Sequence, residues 1–569
     1  MAVLSLRRAL AAALLLAGCY SPGEGVNPPL RRIYFPVGLA VSPGNSRLYV
    51  VNSDYDLQYN AGVLQAYDLE RIRALLPVVC DADSDCPADQ RCDSSPSAQN
   101  GGTPSRWCVA SSGARAGQPC GALGEKSAAD LVTQPGRCGP LDPNRPPDGG
   151  ESLIVGTVGI GAFATDVIFV SRPPIDGVER PGGRLFLPVR GDSSLHWIDV
   201  DDDSKSARED FVFRCGQEHN DGRCDDAHRA GKDSADNTRG LRLPPEPYGI
   251  AASAGGQAIT LTHQTEGVVS LFVQQGLADW GDGVSTFGRG PHLEFLTGNM
   301  PSRPIGIAAV PRPAVVAADP SLVHHPGFLV TYRDAAQIQL LRYYDDLFTG
   351  TEPNNPARPF LDRASSMNVT SNSVGFDSRG IAVDAVAREE CEARCARLGG
   401  ELSCLTDCAG IPVSVYVANR APSSLLVGQT RPNAGVVGTD DLPHFDEVEP
   451  MPFGPSRVIV GDVIGPDGRR QRRVFVVCFD SHTLMIYDPA KRRLEAVVTT
   501  GRGPQAFALD VPAIAASADR ETDRPAYAYG FIGHFTDSWL GVIDLDQRHA
   551  TYGKLIMTLG APSAPRSSK

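Results

Sequence analysis

Arginine, aspartate and histidine residues stand at the ends of short apolar segments spread along most of the chain, as in the turn Arg190-Gly191-Asp192. Such side chains form ion pairs and donate or accept hydrogen bonds. If the turns lie together in space, they could hold a polar ligand, a peptide or a glycan. The candidate residues for this binding site are Arg190, Asp192, His263, Arg333, Asp334, Arg420, His534 and Asp537.

Two other interpretations of these turns stay open. Tight turns favour Asp, Asn and Ser for their backbone geometry alone, which would explain the acidic positions without any ligand. Histidines and carboxylates could instead hold a metal ion, and the site would then belong to a hydrolase, lactonase or lyase. His263, His482 and His534 fall in different segments and share no motif. We therefore expect a binding protein without a cofactor or metal, and the metal-dependent enzyme is the alternative.

A phrase of three short strands recurs along the chain and would bring these turns together. In one copy, an apolar segment runs from Gly380 to Asp384, a second from Val415 to Asn419 and a third from Ser424 to Gly428. A fourth segment is visible in several copies, for example Lys554 to Leu559. The seven copies open near Phe35, Ala164, Pro247, Arg303, Gly380, Gly454 and Gly503.

Four short strands in each of seven repeats predict an all-β fold, a seven-bladed β-propeller. Each blade is a twisted sheet, and small residues such as those from Gly380 to Asp384 allow its innermost strand to approach a narrow central channel. The turns between second and third strands then share one face with the links between blades. The candidate residues would converge there, around the channel mouth.

Several copies open with a Pro-x-Gly-Ile-Ala pattern, as at Pro247 to Ala251 and Pro304 to Ala308. In this respect the chain resembles the YncE-like and NHL-like propeller family, over about residues 35 to 560. The resemblance implies the propeller fold. It leaves the function open, because propellers include enzymes, binding proteins and scaffolds.

The first residues have the features of a bacterial lipoprotein signal, predicted for residues 1–18. Arg7 and Arg8 precede an apolar run that is too short to span a bilayer, and Leu16-Ala17-Gly18-Cys19 resembles a lipobox. Acylation of Cys19 would anchor the protein. Tyr20 follows instead of Asp, which favours the outer membrane. An ordinary signal peptide is the alternative. We expect a tether over residues 19–33 and the propeller over residues 34–562.

Cysteines are numerous and clustered. With Cys19 set aside, thirteen of the fourteen remain, and export would place them in an oxidising compartment where disulfides persist. Cys478 lies within an apolar strand, where we expect a buried free thiol. The others form clusters of even size that can pair internally. These candidates are Cys80, Cys86, Cys92, Cys108, Cys120 and Cys138, then Cys215 and Cys224, then Cys391, Cys395, Cys404 and Cys408.

Two cysteine-rich segments are predicted insertions in the propeller. Residues 77–150 interrupt blade 1 and are rich in Pro, Gly and Asp, so disulfides would replace a hydrophobic core there. Residues 385–411 interrupt blade 5 and read as two helices around Gly399-Gly400. Cysteines four residues apart share a helix face. The simplest pairing joins residues 391 and 408 and residues 395 and 404, and the segment resembles a twin Cys-x₃-Cys helical hairpin.

Metal binding by these insertions is the alternative to disulfides. Four thiolates in the hairpin could hold zinc, although Cys-x₂-Cys spacing is more usual. Asp81, Asp83 and Asp85 resemble the start of a calcium loop. However, Cys86 and Cys92 occupy the positions where such a loop needs Gly and Glu. A disulfide-held turn explains the acidic run better.

The net charge of −13 argues against a nucleic-acid partner. We expect a monomer that contacts the membrane through its N-terminal lipid and binds a protein, peptide or glycan of the cell envelope. A third possibility is a scaffold whose disulfide-rich insertions make the contacts.

Overall fold

The computed structural model describes residues 25–563, except 81, 87, 94–105, 113–116, 118–119, 121–122, 125, 128–130, 132–134, 148, 176–177, 205–210, 217–221, 275–279, 281–289, 320, 323, 346–358, 370–375, 431–440 and 511–527. Six four-stranded sheets and one five-stranded sheet form the blades. The innermost strands of successive blades contact each other, including those of the first and last blades. The predicted seven-bladed β-propeller is therefore confirmed.

The strands of each blade follow one another in chain order from the channel outward. Blade 1 contains Pro36–Val41, Arg47–Asn52, Gly62–Asp68 and Ile154–Ile160, and blade 2 contains Ile168–Ser171, Gly183–Val189, Ser194–Val200 and Arg229–Ala230. Blade 3 contains Pro247–Ala252, Ala258–His263, Val269–Val273 and His292–Thr297, and blade 4 contains Pro304–Val310, Gly327–Tyr332, Gln337–Tyr344 and Phe360–Asn368. Blade 5 contains Ser378–Asp384, Ser414–Arg420, Ser423–Thr430 and Pro443–Pro450, and blade 6 contains Pro455–Ile464, Arg470–Cys478, Thr483–Asp488 and Arg493–Thr499. Blade 7 contains Pro504–Asp510, Tyr529–His534, Trp539–Asp544 and Lys554–Leu559.

The apolar core is divided among the interfaces between blades. In the described part of the chain, seven large clusters of buried apolar side chains each join two adjacent blades. Phe186 of blade 2 and Leu261 of blade 3 share one cluster. Leu48 of blade 1 and Leu540 of blade 7 share another, which closes the ring. Stability therefore comes from nearest-neighbour interfaces, as in other repeat proteins.

Small residues allow the inner strands to approach one another. A Cβ atom on Gly249 would lie 2.2 Å from the carbonyl oxygen of Ile305 in the next blade. A Cβ atom on Gly306 would lie 2.5 Å from the carbonyl oxygen of Arg379, one blade further on. These distances are too short for any side chain, so the close approach of the strands requires glycine at both positions.

We expect Gly249→Ala to lower the free energy of unfolding by about 1–3 kcal/mol, because the added methyl group forces two inner strands apart. Chemical denaturation measures this difference. Gly255→Ala is the matched control, since a Cβ atom there meets nothing within 4 Å. The control should change stability by less than about 0.5 kcal/mol. Equal stabilities of the two variants would contradict this packing of the inner strands.

The three insertions that contain cysteine pairs begin and end on the same face of the propeller. Residues 69–153 and 201–228 connect third to fourth strands, and residues 385–413 connect a first to a second strand. Antiparallel order puts both kinds of connection opposite the turns between second and third strands. The insertions therefore leave from the face opposite the channel mouth.

Within the described residues, four short helices and six disulfides accompany the blades. The helices are α1 (Leu69–Ala74), α2 (Val315–Ala318), α3 (Val386–Arg397) and α4 (Leu402–Ala409), with single 3₁₀ turns at Asp83–Asp85, Asp226–His228 and Thr238–Gly240. No described helix is long and apolar enough to cross a membrane. The disulfides join Cys80 to Cys92, Cys86 to Cys108, Cys120 to Cys138, Cys215 to Cys224, Cys391 to Cys408 and Cys395 to Cys404.

Helices α3 and α4 form the predicted small helical insertion, with the cysteine pairing that the sequence favoured. Because all four thiols are oxidised, they offer no thiolate to a zinc ion. The hairpin packs on α2 through Val315, Leu405 and Cys408. Cys478 is buried and unpaired, and burial raises the pKa of its thiol to about 12, so it acts as an unreactive apolar side chain.

The cysteine-rich insertion of blade 1 also contributes to ring closure. Its segment Cys138–Leu141, here called the clasp strand, pairs in parallel with the outer strand Lys554–Leu559 of blade 7. The backbone N–H of Gly560 donates to the carbonyl oxygen of Leu141 at 2.8 Å. A second short sheet, Gln90–Cys92 with Cys108–Ala110, lies within the same insertion. The clasp strand thus ties blade 1 to blade 7 beyond the direct packing of the two blades.

Candidate ligand-binding site at the channel mouth

Near its start, each inner strand has one residue more than the second strand with which it pairs. In six blades the pairing with the second strand shifts register at this point, which leaves two residues opposite one. In blade 2 three residues separate Ala164 from Ile168, whereas two separate their partners Val189 and Phe186. Such β-bulges redirect a side chain away from the regular alternation of the strand.

The redirected residues line a cavity at the channel mouth, and every blade supplies one of them. They are Val37, Thr165, Tyr248, Ile305, Arg379, Ser456 and Gln505. The cavity has a volume of about 340 Å³, which falls in the range of small-molecule sites. Turns and links complete its wall with Ser53, Tyr55, Phe163, Ala164, Arg190, Gln264, Arg420, Phe479 and Phe535.

Aromatic rings cover one side of this mouth cavity. The ring of Tyr55 lies 5.1 Å from that of Phe535 and 5.6 Å from that of Phe163, both edge-on. Phe479 and Phe535 are 6.2 Å apart. Tyr55 is 51% exposed. The rings come from blades 1, 2, 6 and 7 and offer an apolar surface that a ligand can cover.

Three arginines supply the charged part of the wall. Each is held by an acidic residue outside the cavity lining: Arg190 by Glu246, Arg379 by Asp377 and Arg420 by Asp480. Arg379 and Asp377 form two parallel bonds of 2.5 and 2.8 Å. The Nη1 atom of each arginine makes no hydrogen bond with a described residue. The acids therefore fix the guanidinium groups and leave donors for an incoming anion.

A second cavity of about 160 Å³ continues from the mouth cavity into the channel. Tyr248, Arg379 and Gln505 are among the residues that line both. Asp166 and Arg457 line only the deeper one, and their side chains form an ion pair of 2.9 Å.

The predicted site residues divide into two groups. Arg190 and Arg420 line the mouth cavity. Six others do not line it: Asp192, His263, Arg333, Asp334, His534 and Asp537. Four of these, Asp192, Arg333, Asp334 and Asp537, form local ion pairs. Asp334 pairs with Arg303 and Asp537 with Arg502. Arg333 lies 3.9 Å from Asp377, and burial together with the nearby Arg379 lowers the pKa of Arg333.

Asp192 belongs to a small polar cluster in blade 2. It accepts hydrogen bonds from Ser194 at 2.5 Å and from His196 at 3.2 Å. Burial alone would raise the pKa of Asp192, but the hydrogen bonds from His196 and Ser194 and the nearby charges outweigh it, so the pKa lies below its ordinary value. The carboxylate therefore stays ionised inside the blade.

His263 and His534 are fully buried inside their blades. His263 donates from Nδ1 to the carbonyl oxygen of Pro245 at 3.0 Å, and its Nε2 accepts from Ser270 at 2.7 Å. His534 accepts from the backbone N–H of Gly501 at 2.9 Å and stacks on Trp539. Burial lowers the pKa of His263 to about 4 and that of His534 to about 3. Both rings are neutral and have structural roles.

The described residues offer two groups of three possible metal ligands, and both consist of cysteines that are paired in disulfides. In the suspected calcium loop, Asp83 accepts from the backbone N–H of Cys92 and Asp85 accepts from that of Ala82. These bonds belong to a disulfide-held turn. Asp81 and the lipidation candidate Cys19 lie outside the described residues.

Sequence reasoning missed most of the lining because it examined the turns after second strands. A stronger signal for the lining was the middle residue of the Pro-x-Gly pattern. This position holds Tyr248 and Ile305, and the equivalent position in other copies holds Arg379 and Gln505. The aromatic residues of the turns, such as Tyr55 and Phe535, were not among the predicted site residues.

The fold and this site define a seven-bladed β-propeller with a cationic and aromatic cavity at its channel mouth. No protein-family model matches the chain, and no curated protein matches it. Similar solved structures include a periplasmic gluconolactonase of Pseudomonas aeruginosa, at 11% identity over 82% of this chain and 86% of that chain, with a TM-score of 0.40. Sqt1 of Saccharomyces cerevisiae matches at 8% identity over 95% and 89% of the chains, also with a TM-score of 0.40. At this level of similarity neither protein bears on the function of the chain.

Proposed function

We propose that this protein is a lipid-anchored β-propeller of the cell envelope that binds an acidic group of a protein, peptide or glycan partner at the channel mouth. The observation that carries this proposal is the lining of the mouth cavity. Three guanidinium groups and five aromatic rings form it together, and its described residues include no Asp, Glu or His. Guanidinium groups bind carboxylates and phosphates, and the rings can cover the apolar body beside the acidic group.

The proposed localisation is based on the sequence. The positive residues, the short apolar run and the lipobox-like end at Cys19 support a lipid anchor in the outer membrane. The six disulfides are in keeping with an exported protein. The Pro-x-Gly pattern supports a place in the YncE-like or NHL-like family.

The metal-dependent hydrolase, lactonase or lyase gains no support from the site. Such an enzyme needs imidazole or carboxylate ligands around a metal ion. His263 and His534 already form hydrogen bonds with neighbouring groups, namely Pro245, Ser270 and Gly501. The acids near the mouth, such as Glu246 and Asp480, are held in ion pairs by Arg190 and Arg420.

Calorimetric titration with N-acetylphenylalanine and with its neutral amide tests the proposal. We expect the acid to bind about tenfold more tightly than the amide, because a hydrogen bond to a charged group is worth about 1.5–3 kcal/mol. The double variant Arg379→Gln, Arg420→Gln should lose this preference. Arg303→Gln is the matched control, because Arg303 is not part of the lining. Equal binding of acid and amide, or no binding of either, would refute the proposal.

A further inference from the structure

Asp166 and Arg457 connect opposite sides of the channel. Asp166 lies two residues before the inner strand of blade 2, and Arg457 belongs to the inner strand of blade 6. Two blades separate them in one direction and three in the other, which is the largest separation that a seven-bladed ring allows. Their 2.9 Å ion pair therefore crosses the channel below the mouth cavity.

Stability alone does not account for this pair. The two side chains are 21% and 22% exposed, and ion pairs that water can reach contribute little to folding. Within the described residues, Arg457 and Asp166 have no other charged side chain as partner. The guanidinium group thus has a single carboxylate at hand, and that carboxylate comes from across the channel.

The surroundings of Arg457 form a continuation of the mouth site. Arg379 and Arg457 come from neighbouring inner strands, because a Cβ atom on Gly380 would lie 2.8 Å from the Cα atom of Arg457. Both arginines line the deeper cavity. Tyr248 and Gln505 line it too, and neither the hydroxyl of Tyr248 nor the side-chain amide of Gln505 makes a hydrogen bond with a described residue. An anion at this depth would meet two guanidinium groups and two further donors.

We propose that Asp166 is a built-in counter-ion that occupies a second anion position of the binding site, and that a carboxylate or phosphate of the ligand displaces it from Arg457. This inference rests on the proposed binding function and extends it. The ligand is then an elongated organic anion whose acidic group reaches below the mouth cavity. Displacement exchanges one charged partner of Arg457 for another, so the site opens without leaving the guanidinium group unpaired.

Titration of the purified protein with inorganic phosphate and with acetate tests the inference. Asp166→Asn keeps the shape of the side chain and removes its charge, so both anions should bind about tenfold more tightly than to the unmodified protein. Adding Arg457→Gln should abolish this gain. Asp334→Asn, the matched control on the mouth face, should leave affinity unchanged. The anion with the larger gain identifies the acidic group that the position prefers.

The outcomes separate the two proposals. If the acid is preferred over the amide at the mouth but Asp166→Asn leaves anion affinity unchanged or weaker, the counter-ion role is overturned and the mouth site stands. A crystal of the unmodified protein soaked in phosphate provides a measurement that does not depend on the folding of a variant. Phosphate against Arg457 with Asp166 moved beyond 4 Å supports the inference, and phosphate bound elsewhere with the pair intact overturns it.

Discussion

Arg184→Met should lower the free energy of unfolding by about 3–5 kcal/mol, because it leaves a buried carboxylate without its partner. Arg184 is fully buried in blade 2 and forms two bonds to Asp199, of 2.6 and 3.1 Å. It also donates to Gln274 at 3.0 Å and lies 4.3 Å from the ring centre of Trp197. Methionine fills much of the space but supplies no donor to Asp199.

Chemical denaturation followed by tryptophan fluorescence measures this loss, since Trp197 adjoins the site. Arg469→Met is the matched control, because Arg469 is 77% exposed and its loss should change stability by less than about 0.5 kcal/mol. Adding Asp199→Leu to Arg184→Met should recover part of the stability by removing the unpaired charge. A single variant as stable as the control would contradict this account.

Leu141→Ala should lower the free energy of unfolding by about 2–5 kcal/mol and loosen the closure of the ring. Leu141 is fully buried in the clasp strand, opposite Leu559 of blade 7. It belongs to the apolar cluster that joins blades 7 and 1. Truncation leaves a cavity at the one interface where the two ends of the propeller meet. The ion pair between Arg73 of helix α1 and Asp510 of blade 7, at 2.5 Å, remains in the variant.

Hydrogen exchange at the backbone N–H of Gly560, which donates to Leu141, measures the loosening. Leu398→Ala is the control, because Leu398 is 75% exposed. Unchanged exchange and unchanged stability in Leu141→Ala would show that the clasp strand has no part in closure.

The contacts of the clasp strand also bear on the scaffold alternative. Replacing residues 77–150 by a short linker would remove the clasp, so lost partner capture in that variant would not distinguish a docking surface from an open ring.

The repeated sequence pattern predicted the fold well because the innermost strand is the most constrained part of a blade. Gly380 to Asp384 lies within the strand Ser378–Asp384, and Lys554–Leu559 is a strand as expected. The number of blades follows from counting these phrases. Ring closure could not be predicted, because the clasp strand carries no repeat pattern and pairs with a strand more than 400 residues away.

The pairing of first and second strands explains why His263 and His534 do not line the mouth cavity. His263 and His534 end their second strands opposite Pro247 and Pro504, the first residues of the repeat phrase. The same position holds Asn419 in blade 5, opposite Ser378. All three side chains are fully buried. A polar residue there forms hydrogen bonds with groups beside it in the protein, and the turn beyond it reaches the mouth.

Arg190 and Arg420 line the mouth cavity because each lies one residue beyond the position that His263 and His534 occupy in their strands. The bulges could not be predicted from periodicity, since one extra residue in a strand reverses the alternation of faces. Arg379 and Gln505 therefore read as ordinary strand residues in the sequence, although they line both cavities.

The seven bulged positions at the mouth can change without altering the framework that holds them. A bulged residue has no partner of its own across the ladder, so its replacement leaves the pairs on either side in place. The seven such positions already hold residues as different as Val37, Thr165 and Arg379. Under the proposed binding function, substitutions at these positions would change the specificity of the cavity while the blades keep their strand pairing.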